Sequence, residues 1–182
     1  VTPFTVIDDI SIPSQPPIKL SSQLSLSPPI VTYCVPSLNV GSQTALTFND
    51  AEKIMNTFIM LDEEMQRRKD LMVEYGGSYK EYITHSKEKL PLIVTVINYY
   101  EIFAETYARL AEMIQTMFRD GSKYGIMFIV SAIATNGLKA RSVQYFNNKI
   151  CLQIPNDSEY RSVVNAPKGL KPAKFLGRGL VA

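Results

Sequence analysis

Two runs of this chain, Leu92–Ile97 (LIVTVI) and Gly125–Ser131 (GIMFIVS), are apolar at almost every position instead of alternating. A strand that alternates can leave one face in water, whereas an unalternating one has to be buried on both. Ile30–Val35 (IVTYCV) and Lys149–Ile154 (KICLQI) share this character. Between the first two runs, about Phe103–Phe118, Leu110, Ala111, Ile114 and Met117 recur at helical spacing. Buried strands separated by helices predict an α/β fold, with a mainly parallel sheet and helices on both faces.

The segments directly after two of these strands resemble a nucleotide site with its chemistry removed. A phosphate-binding loop reads G-x-x-x-x-G-K-[ST] directly after a strand. After Ile30–Val35, Gly41 falls at the second glycine, Pro36 at the first, Ser42 at the lysine and Gln43 at the hydroxyl residue. Proline has no N–H to offer a phosphate, serine carries no charge, and glutamine is a poor substitute for a hydroxyl on magnesium. Downstream, Leu92–Ile97 ends in Asn98-Tyr99-Tyr100-Glu101. A Walker B strand ends in an aspartate that orders magnesium, usually followed by a glutamate that polarises water. Asn98 stands at the aspartate and Tyr99 at the glutamate. Asparagine keeps the shape without the charge, and a phenol is no general base at neutral pH. Glu101 reads as an acidic residue opening the next helix.

The remaining signals are structural. Asn49-Asp50 caps a helix running to about Tyr75, with Ile54, Met55, Phe58, Leu61, Met65 and Met72 as its apolar stripe. Glu63 with Arg67 and Glu64 with Arg68 pair across one turn, so Arg67-Arg68-Lys69 reads as a solvated face. Gly76-Gly77 ends the helix in a left-handed cap. A short helix is expected at Tyr79–Thr84, another at Asp157–Val164, and a last edge strand at Leu180-Val181. His85, the single histidine, lies among lysines and reads as exposed. Cys34 and Cys151, the two cysteines, fall in apolar strand patterns and read as buried thiols, with no support for a disulfide or metal site. A net charge of +2 sets up no strong field toward nucleic acid. Val1–Pro29 holds six of the eleven prolines and reads as an extended lead-in, leaving 30–182 as one domain. No apolar run is long enough to span a bilayer, no signal peptide is evident, and a cytoplasmic location is expected.

Several stretches taken together carry a family resemblance. LDEEMQRRKDLMVEYGG, LPLIVTVINYYEIF, RDGSKYGIMFIVSAIATNG, LQIPNDSEYRSVV and GRGLV occur in order between Asn49 and Val181. In that order they resemble the second half of an FtsK/SpoIIIE-type motor ATPase domain, in particular that of the EssC/EccC group of type VII secretion. Val6–Leu20 resembles the lead-in strand of such domains. The resemblance implies a RecA-like P-loop NTPase fold, incomplete here, because the family carries some tens of residues between Phe48 and Asn49. It implies a degenerate domain, the third of several in a membrane-anchored parent, facing the cytoplasm. Its partners would be neighbouring ATPase domains of the same chain, within a hexameric assembly, and secreted helical-hairpin substrates whose signal helix binds an apolar groove. Arg119 stands where such motors keep a basic residue near a neighbour's phosphates, and Ser131 where they keep a polar sensor. With both motifs degenerate, no cofactor is expected, ATP and magnesium binding at most weakly, and no nucleic acid. The alternative is an active ATP-binding ATPase or DNA translocase domain.

Overall fold

The computed structural model describes residues 30–35, 43–46, 50–88, 90–175 and 177–182, with backbone alone for 30–35 and 43–45. The chain packs as two units, one within Ser27–Phe146 and a second that includes Asn147–Ala182. The expected lead-in at 1–29 and the gap between Phe48 and Asn49 lie outside the described residues.

The first unit is built on four strands, β1 (Ile30–Val35), β2 (Gln43–Leu46), β3 (Leu92–Ile97) and β4 (Ile126–Val130), in the order β2-β1-β3-β4. The α/β class is as expected, but "mainly parallel" is not. Among the described strands of this sheet, only β3 and β4 pair in parallel; β1 runs antiparallel to both β2 and β3. A parallel pair needs a crossover, supplied here by α3 (Tyr100–Thr106) and α4 (Ala108–Asp120). The antiparallel β1–β2 pair needs none.

Among the described residues of this unit, the helices pack on one face of the sheet. Ile93, Thr95 and Ile97 are buried, and their register partners Ile126, Phe128 and Val130 line the same core. On the opposite face Met127 and Ile129 remain 46% and 57% exposed, so within this unit the expected second helical layer is absent among the described residues. The Thr95 side chain is fully buried and its hydroxyl has no hydrogen-bond partner among the described residues. Thr95→Val, which replaces that hydroxyl with a methyl of the same shape, is expected to raise stability by about 1 kcal/mol. Urea denaturation checks this as a higher midpoint at unchanged slope, and a lowered midpoint would mean the hydroxyl is satisfied.

The long helix α1 (Ala51–Met72) matches its sequence pattern, with Ile54, Phe58, Leu61, Met65 and Met72 buried; Met55 is instead 39% exposed. A 3-10 turn, Val73–Tyr75, extends it to Gly76, whose φ of 84° is the left-handed cap expected there. Ser78 then caps α2 (Tyr79–His85), its hydroxyl accepting from the Glu81 N–H at 3.3 Å, and His85 is exposed.

One expectation about α1 fails. Arg68 is 1% exposed, not solvated. Its guanidinium donates to Glu64 (2.7 Å), to the carbonyls of Tyr124 and Gly125 (3.1 Å each) and to that of Pro91 (2.7 Å). Those carbonyls lie just before β4 and β3, so one side chain ties the helix to the starts of both central strands. Arg67, on the outside, pairs with the same Glu64 rather than with Glu63. Led by the Arg67 hydrogen bonds, the two arginines hold the Glu64 carboxyl below its ordinary range.

The second unit contains β5 (Ile150–Cys151), α6 (Glu159–Val164) and β6 (Leu180–Val181), following α5 (Ala140–Val143) of the first. β5 pairs with β6 in an antiparallel ribbon, rather than as a further strand of the main sheet. Cys151, Tyr160, Val164 and Ala166 form its core. Burial pushes the Cys151 thiol up, in keeping with a reduced structural cysteine. The Cys34 side chain lies outside the described residues.

Candidate functional site

In open α/β sheets, ligands gather beyond the carboxyl ends of parallel strands. Here that end belongs to β3 and β4, and the chain emerging from each is tied to the other. The Ser131 hydroxyl donates to the Asn98 side-chain oxygen and accepts from the Tyr99 N–H at 3.0 Å. Backbone bonds continue the ladder past the strands, from Ser131 N–H to the Ile97 carbonyl (3.0 Å) and from Tyr100 N–H to the Ser131 carbonyl (2.9 Å). Tyr99 takes a left-handed backbone, φ 54° and ψ 64°, and stays 38% exposed. A left-handed residue other than glycine stores strain that its surroundings must hold, and the Ser131 hydroxyl does so here.

Glu101 completes the cluster. It opens α3, as its place in the sequence indicates, but its carboxylate crosses to the turn after β4. There Oε1 accepts the N–H groups of Ile133 (2.6 Å) and Ala134 (3.0 Å). Its other oxygen, Oε2, is buried with no hydrogen-bond partner among the described residues. Gly137 packs so closely that a Cβ there would stand 2.2 Å from Oε1. Behind them Tyr100 is buried, and its hydroxyl accepts from Gln115 at 3.1 Å, which in turn accepts from Ser142. Burial pushes the Tyr100 phenol up. This chain of polar groups has no signature in sequence, because its members come from three separate helices.

Among the described residues, Gln43 and Arg119 do not join this cluster. Pro36, Gly41 and Ser42 lie outside the described residues, and Gln43 begins β2 opposite Tyr33. In the β1–β3 register Ile30 pairs with Ile97, and Val35 with Leu92. Val35, the last residue of β1, therefore lies at the opposite end of β3 from Asn98, about 20 Å along the strand at ~3.3 Å per residue. Arg119 sits in the last turn of α4, on the path into the start of β4, and pairs through two 2.8 Å bonds with Asp120. With Glu112, Gln115, Thr116, Arg141 and Tyr145 it borders an open groove. Among the described residues, no group of three or more His, Cys, Asp or Glu side chains could hold a metal ion, and no helix is long and apolar enough to cross a membrane.

No family model matches the chain. Two curated relatives do: it is 30% identical over 121 residues to the ESX secretion system protein YukB of Bacillus subtilis (strain 168), and 30% identical over 135 residues to the ESX secretion system protein EccC of Geobacillus thermodenitrificans (strain NG80-2). These matches take in 66% and 72% of the chain. Among solved structures it is similar to EssC (ATPases 2 and 3) from Geobacillus thermodenitrificans, with a TM-score of 0.66 at 27% identity over 73% of the chain and 26% of that structure. The chain is a homologue of the EssC/EccC/YukB secretion ATPases. A structure of the cytoplasmic domain of EssC agrees in fold, with a TM-score of 0.55 at 22% identity over 74% of the chain and 28% of that structure. The matched residues make up 8% of YukB and 9% of EccC, so the homology concerns one segment of much longer EssC/EccC proteins.

Proposed function

We propose that this segment is a degenerate, non-hydrolysing ATPase-fold domain of a type VII secretion motor, the third in its parent chain. The fold is read as an incomplete RecA-like P-loop NTPase, whose Walker B half is the β3–α3–α4–β4 crossover. The observation that carries the reading is the state of the β3 and β4 ends. An uncharged Asn98 stands where magnesium would need a carboxylate, and its amide oxygen is occupied by Ser131. The acidic side chain of this cluster, Glu101, is committed to the Ile133 and Ala134 amides. These residues do not suit a magnesium–nucleotide complex, and phosphoryl transfer depends on such charge and positioning.

The domain then works through contacts with neighbouring ATPase domains, in a hexameric assembly on the cytoplasmic face of a membrane-anchored parent. Binding of a substrate's signal helix is supported by the apolar side chains that α1 exposes, Met55, Ile59 and Met60, at 39%, 42% and 51%. Calorimetry with ATP and magnesium is expected to give a dissociation constant no tighter than about 1 mM, or ~4 kcal/mol. Micromolar binding would instead favour the active ATPase or DNA translocase. Because β1 runs antiparallel to β3, restoring Pro36→Gly, Ser42→Lys and Gln43→Thr together is expected to leave affinity within about threefold of the parent, less than 1 kcal/mol. A large gain would mean that the loop does reach the Asn98 end of the sheet.

A further inference from the structure

We propose that Glu101 is a latch, and that the turn after β4 is a strap it holds closed. The strap is anchored at both ends. Ser131 is bonded into the sheet through Ile97, Asn98 and Tyr99, and Leu138 packs on the main core. Between the anchors none of residues 132–136 is buried, and Ile133 is 68% exposed. A segment with so little packing takes its local stability from its hydrogen bonds. Here two of those bonds, at Ile133 and Ala134, end on one carboxylate oxygen.

The closed position is also poised. Oε2 of Glu101 is shut away from solvent without a hydrogen-bond partner among the described residues, and a half-satisfied carboxylate is costly to bury. Opening the strap would return that oxygen to water, offsetting the two lost bonds. It would also uncover the carboxylate beside Asn98, at the strand ends where such sheets take ligands. Gly137 marks the contact, since any side chain there would strike Oε1.

Amide hydrogen exchange of the intact chain tests this. In the parent protein the Ile133 and Ala134 amides are expected to be protected. Glu101→Ala should speed their exchange about tenfold or more, while the β3 amides keep their parent rates. Glu101→Gln, which keeps a carbonyl acceptor, should fall between the two. Gly137→Ala is a second route to the same opening with the carboxylate intact, and should speed the same two amides. The proposal is overturned if these amides are unprotected in the parent, if neither alanine variant changes them, or if the β3 amides accelerate by the same factor. That last result would make the carboxylate part of the global fold.

Discussion

Arg68→Ala is expected to cost about 3–5 kcal/mol, the range for removing one partner from a buried charged network. Domains of this kind hold only ~5–15 kcal/mol in total, so much of the chain would be unfolded at moderate temperature. The loss has three sources. The backbone carbonyls of Pro91 and Tyr124 lose the Arg68 donor where the chain enters β3 and β4, and that of Gly125 loses one of two, keeping the Ile93 N–H. The partly buried Glu64 loses one of its two arginines. The space occupied by a long side chain, 1% exposed, is left empty. Lysine should recover only part of the loss, because an ammonium lacks the planar fork that reaches carbonyls on two strands. Arg67→Ala is the control. That side chain is 55% exposed, and its removal should change stability by less than ~1 kcal/mol. Urea denaturation of the three variants decides the matter; a loss below about 1 kcal/mol in Arg68→Ala would mean that water replaces the guanidinium at little cost.

The second large effect is expected at Gly125, the residue that turns the chain into β4. Its φ is 74°, and a Cβ added there would meet the Tyr79 ring at 2.5 Å. Tyr79 has little room to yield, since its hydroxyl donates to the Leu90 carbonyl at 2.8 Å. Gly125→Ala therefore combines a left-handed backbone penalty of about 1–2 kcal/mol with overpacking of about 1–3 kcal/mol. The two parts can be separated. In a Tyr79→Ala background the clash is gone and only the backbone part should remain, so a double-mutant cycle should show coupling of the order of the overpacking term. Simple additivity would place the whole cost in the backbone.

Much of the local structure was legible in the residues themselves. The bounds of β3, the stripe and glycine cap of α1, and the short α2 and α6 follow from hydrophobic period and end signals, which act over a few residues. The helix expected at Phe103–Phe118 was legible as helix but not as two pieces, divided at Tyr107, whose φ of −125° leaves the helical region. At the strand ends, the motif pattern pointed to Asn98 and Tyr99 and the family resemblance to Ser131, and the three meet there through the Ser131 hydroxyl. It could not tell that Glu101 reaches across to the turn after β4, because that bond spans some thirty residues of sequence.

The amino-acid order alone determined which segments become strand or helix and which side chains are apolar enough to seek burial, since both are set by near neighbours. Only the tertiary structure decided the direction of β1, the burial of Arg68 and the pairing of Val35 with Leu92, at the far end of β3 from Asn98. An apolar run reads the same whichever way it pairs, and an arginine on a charged helix reads as solvated until carbonyls from distant strands close around it. Those outcomes depend on which surfaces meet when the chain closes on itself.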